Sequence, residues 1–274
     1  MDIPFRKMHG AGNDFIVVDD REGRFPLDRT DWLQAVAHRR FGVGSDGFLL
    51  VQPPTEPGAD VRMRFINPDG GEVDMCGNGA RCLARFAHDL GAAPARLTLQ
   101  TPAGPVGAEV RGDQVRLAMT EPRDWRLGRT LRLDDGTALA YDFVNSGVEH
   151  VVVAVDDLDA VDLARLGPAI RYHADFAPRG TNANVVQITG PDALRIRTYE
   201  RGVEDETLAC GTGMVAAGLL AYRTGRVSGH PVRITCASGT VLEVDFEEAD
   251  DTLRHPTLYG PAVYVFDGAL QAPG

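Results

Sequence analysis

RMRFINPDGGEVDMCGNGARCLARFAHDLG, residues 62–91, returns as IRTYERGVEDETLACGTGMVAAGLLAYRTG, residues 196–225. The offset is that of the two cysteines, 210 − 76 = 134, and no gap is needed. Phe65 falls on Tyr199, Asn67 on Arg201, Glu72 on Glu206, Gly77 on Gly211, Gly79 on Gly213 and Gly91 on Gly225. Further on, Thr101 falls on Thr235. Register held over that length points to a duplicated structural unit.

Within each copy the pattern is readable. Val61, Met63 and Phe65 alternate with Arg62 and Arg64, and Leu194, Ile196 and Thr198 with Arg195 and Arg197, the period of a half-buried strand. A loop rich in Gly, Asp and Glu follows, then Cys-Gly-x-Gly and a helix. Leu83, Phe86, Ala87 and Leu90 form one apolar stripe, whereas Met214 to Tyr222 is apolar all round, as in an enclosed helix. Gly91 and Gly225 stand where a C-terminal cap belongs.

Short β-patterned runs follow each helix: Leu97–Thr101 and Val106–Val110, then Val232–Thr235 and Val241–Phe246, with similar runs near Val115–Met119, Tyr141–Val144 and Val151–Val155. Helical patterns cover Asp31–Arg40, with Asp28 or Thr30 as its cap, and Leu158–Tyr172. The fold class is α/β in the α+β sense, with two pseudo-symmetric halves of many short strands around a central helix. The join falls near Met119–Arg123, giving halves of 1–118 and 119–259. Gly260–Phe266 reads as one more strand, and the segment 260–274 as returning to the first half.

The bulk numbers narrow the function. The chain of 274 residues is 43% hydrophobic and 24% charged, ordinary for a globular protein. A net charge of −11 argues against nucleic acid as partner, because phosphate binding needs a basic footprint. The longest apolar runs are too short to span a bilayer, and MDIPFRKMHG lacks the apolar core of a signal peptide, so a soluble cytoplasmic protein is expected. The four cysteines, Cys76, Cys82, Cys210 and Cys236, show neither disulfide-scaffold density nor zinc-knuckle spacing, and no metal is expected.

A thiol at a helix N-terminus feels the positive end of the dipole and several unpaired N–H groups, which favour thiolate. The glycines after Cys76 and Cys210 leave those N–H groups open to a carboxylate. Two such elements suit inversion of an amino acid. One thiolate removes the α-proton while the other thiol returns one to the opposite face, and the carbanion is stabilised by dipoles aimed at the carboxylate. Pyridoxal phosphate would require a lysine for its Schiff base, and the sole lysine, Lys7, lies at the N-terminus. No cofactor is therefore expected.

The chain resembles the diaminopimelate epimerases across nearly its full length. The stretches that carry the resemblance are Lys7-Met-His-Gly-Ala-Gly-Asn-Asp-Phe15, Phe65-Ile-Asn-Pro-Asp-Gly70, Met75-Cys-Gly-Asn-Gly-Ala-Arg-Cys82, Gly180-Thr-Asn182, and Tyr199-Glu-Arg-Gly202 leading to Ala209-Cys-Gly-Thr-Gly213. The resemblance implies interconversion of LL- and meso-diaminopimelate in lysine and cell-wall synthesis, without metal or pyridoxal phosphate. It also implies two halves, each a barrel-like, mostly antiparallel sheet around a central helix, and a homodimer. Cys76 and Cys210 would be acid and base, tuned by His150 and Glu200. Gly77, Asn78, Gly211 and Thr212 would hold the reacting carboxylate. Asn13, Asn67, Asn182, Glu200 and Arg201 would grip the far, amino-acid-like end.

The chain departs from that family in two places. Many members have Gly-Asn-Pro-His where this chain has Gly147-Val-Glu-His150, and some carry glutamine where it has Gly47. Both positions bear on the far end of the substrate. Two rivals stay open: a proline or hydroxyproline racemase, which resembles the chain less around Asn67 and Glu200-Arg201, and a redox sensor or binding protein in which Cys76 and Cys210 form a reversible disulfide.

Overall fold

A computed structural model describes residues 2–273. The chain packs as two compact units, Met1–Leu117 with Gly260–Gly274, and Ala118–Tyr259. The first unit contains β1 (Asp2–Gly10), β2 (Asn13–Asp19), α1 (Thr30–Ala37), β3 (Gly47–Gln52), β4 (Val61–Ile66), β5 (Glu72–Val73), α2 (Gly77–Asp89), β6 (Arg96–Thr101), β7 (Gly104–Arg111) and β8 (Gln114–Ala118). The second contains β9 (Arg123–Arg132), β10 (Ala138–Asn145), β11 (Glu149–Ala154), α3 (Leu163–Arg171), β12 (Asn182–Gly190), β13 (Ala193–Glu200), β14 (Asp205–Thr207), α4 (Gly211–Arg223), β15 (Val232–Thr235), β16 (Val241–Ala249) and β17 (Thr252–Pro261). The last strand, β18 (Val263–Gln271), pairs antiparallel with β1 in the first unit.

The two units share one wiring. In the first, β1–β2, β3–β4, β4–β5, β6–β7 and β7–β8 are antiparallel, while β2–β3 and β4–β6 are parallel. In the second, β10–β11, β12–β13, β13–β14, β15–β16 and β16–β17 are antiparallel, while β11–β12 and β13–β15 are parallel. Parallel neighbours need a crossover. The crossover between β2 and β3 holds α1, and that between β11 and β12 holds α3. The outer strand beside β10 is β9, from just before it in the chain. The outer strand beside β1 is β18, from the opposite end of the sequence.

Each unit has two apolar layers. On one face α1 lays Leu33 and Ala37 against Phe5, Ile16, Val18, Phe48, Leu50 and Ile66. Likewise α3 lays Leu163 and Ile170 against Phe143, Val151, Val153, Val185 and Tyr199. On the other face the sheet wraps the central helix: α2 touches β1, β2, β3, β4, β6 and β7, and α4 touches β10, β11, β12, β13, β15 and β16. Met214, Val215, Leu219 and Leu220 are fully buried. At about 1.5–3 kcal/mol for each large side chain, burial rather than intrinsic propensity holds α4.

The offset of 134 places α2 on α4 residue for residue, since 77 + 134 = 211 and 89 + 134 = 223. Both helices end the same way. Gly91 N–H donates to His88 O and Ala92 N–H to Ala87 O; Gly225 and Arg226 repeat this on Tyr222 and Ala221, each at 2.9 Å. Gly91 and Gly225 adopt φ of 72° and 69°, the left-handed cap for which glycine is favoured. The preceding hairpins differ by one residue. Phe65 pairs with Val73, but its counterpart Tyr199 pairs with Glu206 rather than Thr207.

Three boundaries and one burial pattern differ from the sequence reading. The helix expected over Asp31–Arg40 is Thr30–Ala37, and its cap position is Arg29, with no side-chain capping bond from Asp28 or Thr30. The helix expected over Leu158–Tyr172 begins at Leu163, because the Asp162 carboxylate accepts the Arg165 N–H and starts it there. Leu158 lies in the preceding turn and joins the core without being helical. The tail expected as one strand over Gly260–Phe266 is two strands, interrupted at buried Ala262, whose N–H goes to Asp113 O. Finally, α2 is enclosed rather than one-sided: Asn78 to Ala84 are all buried, including Arg81 at 0% exposure.

Candidate active site

In each unit a strand, a tight hairpin and a bend bring a cysteine to the N-cap of the central helix. Cys76 has φ −139° and ψ 117°, and Cys210 has φ −111° and ψ 109°, both extended. Their carbonyls accept the first helical bonds, from Ala80 and Met214 at 2.8 and 2.9 Å. The two sulfurs are held differently. Cys76 Sγ accepts the Gly79 N–H at 3.5 Å, taking the usual role of a capping oxygen. Cys210 Sγ makes no such capping bond and lies 3.6 Å from Thr212 Oγ1.

Around the first helix start two side-chain amides are held between a buried guanidinium and a carboxylate. Arg81 Nη2 donates to Asn78 Oδ1 at 2.8 Å, and Arg81 Nε donates to Pro261 O at 3.2 Å. With its oxygen occupied, Asn78 offers its NH₂ to Asn13 Oδ1 at 2.5 Å. Asn13 Nδ2 in turn reaches Asp46 Oδ2 at 3.1 Å. The structure thus joins Asn13 to Asn78 directly. Asn67 is half-buried and shapes a turn, its backbone N–H on Gly71 O at 2.8 Å and its carbonyl on Gly70 N–H at 2.9 Å. Lys7 is buried and paired with Asp14 and Gly44 O, a structural role.

Around the second helix start the groups are ionisable or hydroxylic. Burial pushes the Glu200 carboxyl above the usual carboxylate range, against hydrogen bonds from Thr207 and Cys210 that pull the other way. Thr207 Oγ1 donates to Glu200 Oε2 at 2.8 Å. His150 is fully buried, with Nε2 2.9 Å from Thr212 Oγ1 and Nδ1 3.1 Å from Asn184 Nδ2. Burial, helped by the Arg201 charge, depresses its pKa to about 3. The ring is neutral throughout the physiological range. Ser146 Oγ donates to Thr212 O at 2.8 Å, fixing the backbone of the helix start.

Asn182, Arg201 and Glu149 form a third group on the same unit. Asn182 Oδ1 accepts the Arg201 N–H at 2.8 Å, and Asn182 Nδ2 donates to Glu149 O at 3.0 Å. Arg201 Nη1 donates to Glu149 Oε2 at 2.8 Å, and Arg179 pairs with the other carboxylate oxygen. Burial pushes the Glu149 carboxyl up, but its own N–H and the two arginines outweigh that and hold it low.

Both departures from the family pattern acquire a physical reading. A side chain at Gly47 would put its Cβ 2.4 Å from the Phe65 ring and 2.7 Å from Ile66 O, so the ring fills the space a glutamine would need. At 147–150, Asn145 Oδ1 is used on Gly147 N–H, and Glu149 adds the carboxylate on Arg201.

The remaining thiols are structural. Cys82 is fully buried, and burial pushes its pKa up to about 12. Cys236 Sγ lies 3.3 Å from Thr240 O and 3.2 Å from Ser238 Oγ. No disulfide links any of the four. Among the described residues no cluster of three His, Cys, Asp or Glu side chains is arranged to hold a metal ion. No helix among them is long and apolar enough to cross a membrane.

Sequence reasoning missed Arg81, Glu149, Asn184 and Thr198. A signal for one of them existed in the repeat: the offset of 134 sets Asn184 on Leu50, polar against apolar inside a core strand, just as it sets the already recognised His150 on Ile16.

A neutral buried His150 has a stability signature. Its folded pKa lies below the unfolded value of ~6.5, so its contribution is complete above that pH and is lost as pH falls toward 3. The ring resonances of His150 are expected to stay unshifted from pH 8 to 5 by NMR. The unfolding free energy should fall less steeply between pH 6.5 and 4.5 in His150→Gln than in the parent protein.

Comparison with known proteins completes the picture. The sequence model of the family described as diaminopimelate epimerase matches residues 5–125 and 143–265. The chain is 46% identical to the diaminopimelate epimerase of Chlorobaculum tepidum, over 96% of this chain and 99% of that one. It is 41% identical to that of Aquifex aeolicus, over 98% of each. Among solved structures, a Bacillus anthracis phenazine biosynthesis protein of the PhzF family aligns with a TM-score of 0.72 at 17% identity, over 99% of this chain and 100% of that one. A probable proline racemase from Agrobacterium radiobacter aligns with 0.69 at 19%, over 99% and 93%. Those two likenesses concern the fold. With the sequence matches spanning both halves and both cysteine motifs, the chain belongs to the diaminopimelate epimerase family.

Proposed function

We propose that this protein interconverts LL- and meso-diaminopimelate by proton transfer at the α-carbon, with Cys76 and Cys210 as the acid–base pair. The observation that carries the reading is the pair of buried central helices, each with a cysteine at its N-cap and Gly-x-Gly following. One sulfur, as thiolate, takes the α-proton, and the other, as thiol, delivers a proton to the opposite face. In the reverse direction they exchange roles. The backbone N–H groups and dipoles of Gly77-Asn78 and Gly211-Thr212 stabilise the charge that develops on the substrate carboxylate. Cys210 lies between a carboxyl that can take its proton, Glu200, and a hydroxyl, on Thr212. Neutral His150 acts on Cys210 through Thr212. The chemistry asks for no metal or pyridoxal phosphate.

The far end of the substrate carries a second ammonium and carboxylate. Arg201 suits the carboxylate, and Glu200 the ammonium, with Asn13, Asn67 and Asn182 as neutral partners. The resemblance extends to a homodimer in the cytoplasm. Val265 and Phe266, 55% and 47% exposed on outer strand β18, are consistent with a partner there.

A direct assay tests the reading. Purified, reduced protein with a chelator and no added cofactor should convert LL- to meso-diaminopimelate by chiral chromatography and leave proline unchanged. Cys76→Ser and Cys210→Ser should each lose at least ~100-fold in kcat, the scale of one positioned acid or base. Turnover of proline but not diaminopimelate would favour the racemase alternative instead.

Glu149 competes for Arg201 with the substrate's own carboxylate. Glu149→Gln is expected to lower KM for diaminopimelate about two- to fivefold with kcat unchanged, as for loss of a partly exposed ion pair worth ~0.5–1 kcal/mol. A raised KM would mean that Glu149 orients Arg201 for the substrate rather than occupying it.

A further inference from the structure

We propose that Asn184 is a positioning residue: its amide fixes the tautomer of His150 and so turns the Thr212 hydroxyl into a hydrogen-bond donor to the sulfur of Cys210. Neither Asn184 nor Thr198 belongs to the groups assigned to substrate or proton transfer above. Both are buried, at 0% and 3% exposure, in strands β12 and β13.

The directions of the bonds follow from groups that have no choice. Val151 O can only accept, and it lies 2.8 Å from Asn184 Nδ2, so that atom is the amide nitrogen. Asn184 Oδ1 accordingly accepts from Thr198 Oγ1 at 2.9 Å. The second hydrogen of Nδ2 faces His150 Nδ1 at 3.1 Å, which must therefore offer its lone pair. A proton on Nδ1 would set N–H against N–H inside a fully buried cluster. In a neutral ring the proton then resides on Nε2, which donates to Thr212 Oγ1 at 2.9 Å. Thr212 Oγ1 has accepted, and its own hydrogen is left to point at Cys210 Sγ, 3.6 Å away. The chain runs in one direction, from Thr198 through Asn184, His150 and Thr212 to the sulfur.

The surroundings fit this design. A Cβ on Gly213 would stand 2.6 Å from Asn184 Oδ1 and 3.3 Å from Cys210 Sγ, so a bare backbone is what admits the amide beside the helix start. The first unit lacks the chain. Its counterparts to His150, Asn184 and Thr212 at the offset of 134 are Ile16, Leu50 and Asn78, and Cys76 takes its hydrogen bond from the backbone instead. The other charged groups facing this cluster are Glu200, against Cys210, and Arg201, whose charge reaches His150. An O–H donor to sulfur stabilises thiolate over thiol, and the chain supplies one to Cys210 without adding a charge.

The inference rests on the reading above only in treating Cys210 as a working thiol, and its test needs no substrate. Full-length protein labelled with ¹⁵N in the histidine rings should give His150 as the Nε2–H tautomer at pH 8 in long-range ¹H–¹⁵N spectra, with the signal assigned by its loss in His150→Gln. Asn184→Asp places a carboxylate oxygen where the amide nitrogen was, and should move the proton to Nδ1. The Thr212 hydroxyl is then drawn to Nε2 and away from sulfur. Iodoacetamide labelling read peptide by peptide should then slow about tenfold at Cys210, the loss of one hydrogen bond to a charged sulfur, and stay unchanged at Cys76. Thr212→Val should slow Cys210 to the same extent, Thr212→Ser should restore it, and Asn184→Asp should add nothing to Thr212→Val. If Asn184→Asp fails to fold, the tautomer of the parent protein and the Thr212 pair decide the matter. An Nδ1–H ring in the parent, or equal Cys210 labelling in parent and Thr212→Val, overturns the proposal.

Discussion

The start of a buried helix is an electrostatic demand that the surrounding chain must meet. Its first N–H groups have no partner within the helix, and in α2 and α4 they belong to partly exposed residues, Gly77, Gly211 and Thr212, at the mouth of an otherwise buried helix. Sulfur at the N-cap is a weak answer to that demand, since it accepts hydrogen bonds poorly compared with a Ser or Asp oxygen. The glycines that follow add no side chain of their own. The result is a pair of positive helix ends, each beside a thiol. Such an end favours a thiolate and an incoming carboxylate for the same reason, and the rest of each unit serves to hold that end in place.

The two units meet the demand by different chemistry on equivalent backbones. In the first, buried Arg81 and the amides of Asn78 and Asn13 form a rigid, uncharged-to-cationic surface, and Cys76 is capped by the backbone. In the second, Glu200, Thr212 and neutral His150 surround Cys210, and Arg201 is held by Asn182 and Glu149. A reaction that inverts one carbon is nearly symmetric at the reacting end. The substrate's far end is not symmetric with it, and the polar residues that break the likeness between the repeats gather in the second unit.

The repeat was legible because helices keep register rigidly: α2 and α4 coincide at one offset along their whole length. The hairpins before them were not, since a one-residue slip leaves every hydrophobic residue available and only the pairing changes. Strand β9 was invisible for a different reason. In RDWRLGRTLR only Leu131 is buried, so an outer strand gave no alternation to read. The start of α3 turned on whether Asp162 or an earlier residue capped it, which composition does not decide. At the site, the cysteines, glycines and Arg201 lay in local motifs. Asn184 and Thr198 act across strands, and nothing in their immediate neighbours marks them. Arg81 sits inside a recognised motif, but its second partner, Pro261 O, is 180 residues away. Glu149 sits in a recognised segment, but its partner is 52 residues away.

The central claim is that two different groups serve the two faces of one carbon. Its most direct test is isotopic. LL-diaminopimelate is incubated with the protein in D₂O and the reaction is stopped while only a small fraction has been converted. The account predicts deuterium at the inverted α-carbon of the meso product and almost none in the recovered LL substrate, because the proton taken by one sulfur is replaced from the other. Deuterium in the recovered substrate at the same early time, or meso product that keeps the original proton, would mean one group working on both faces and would contradict it.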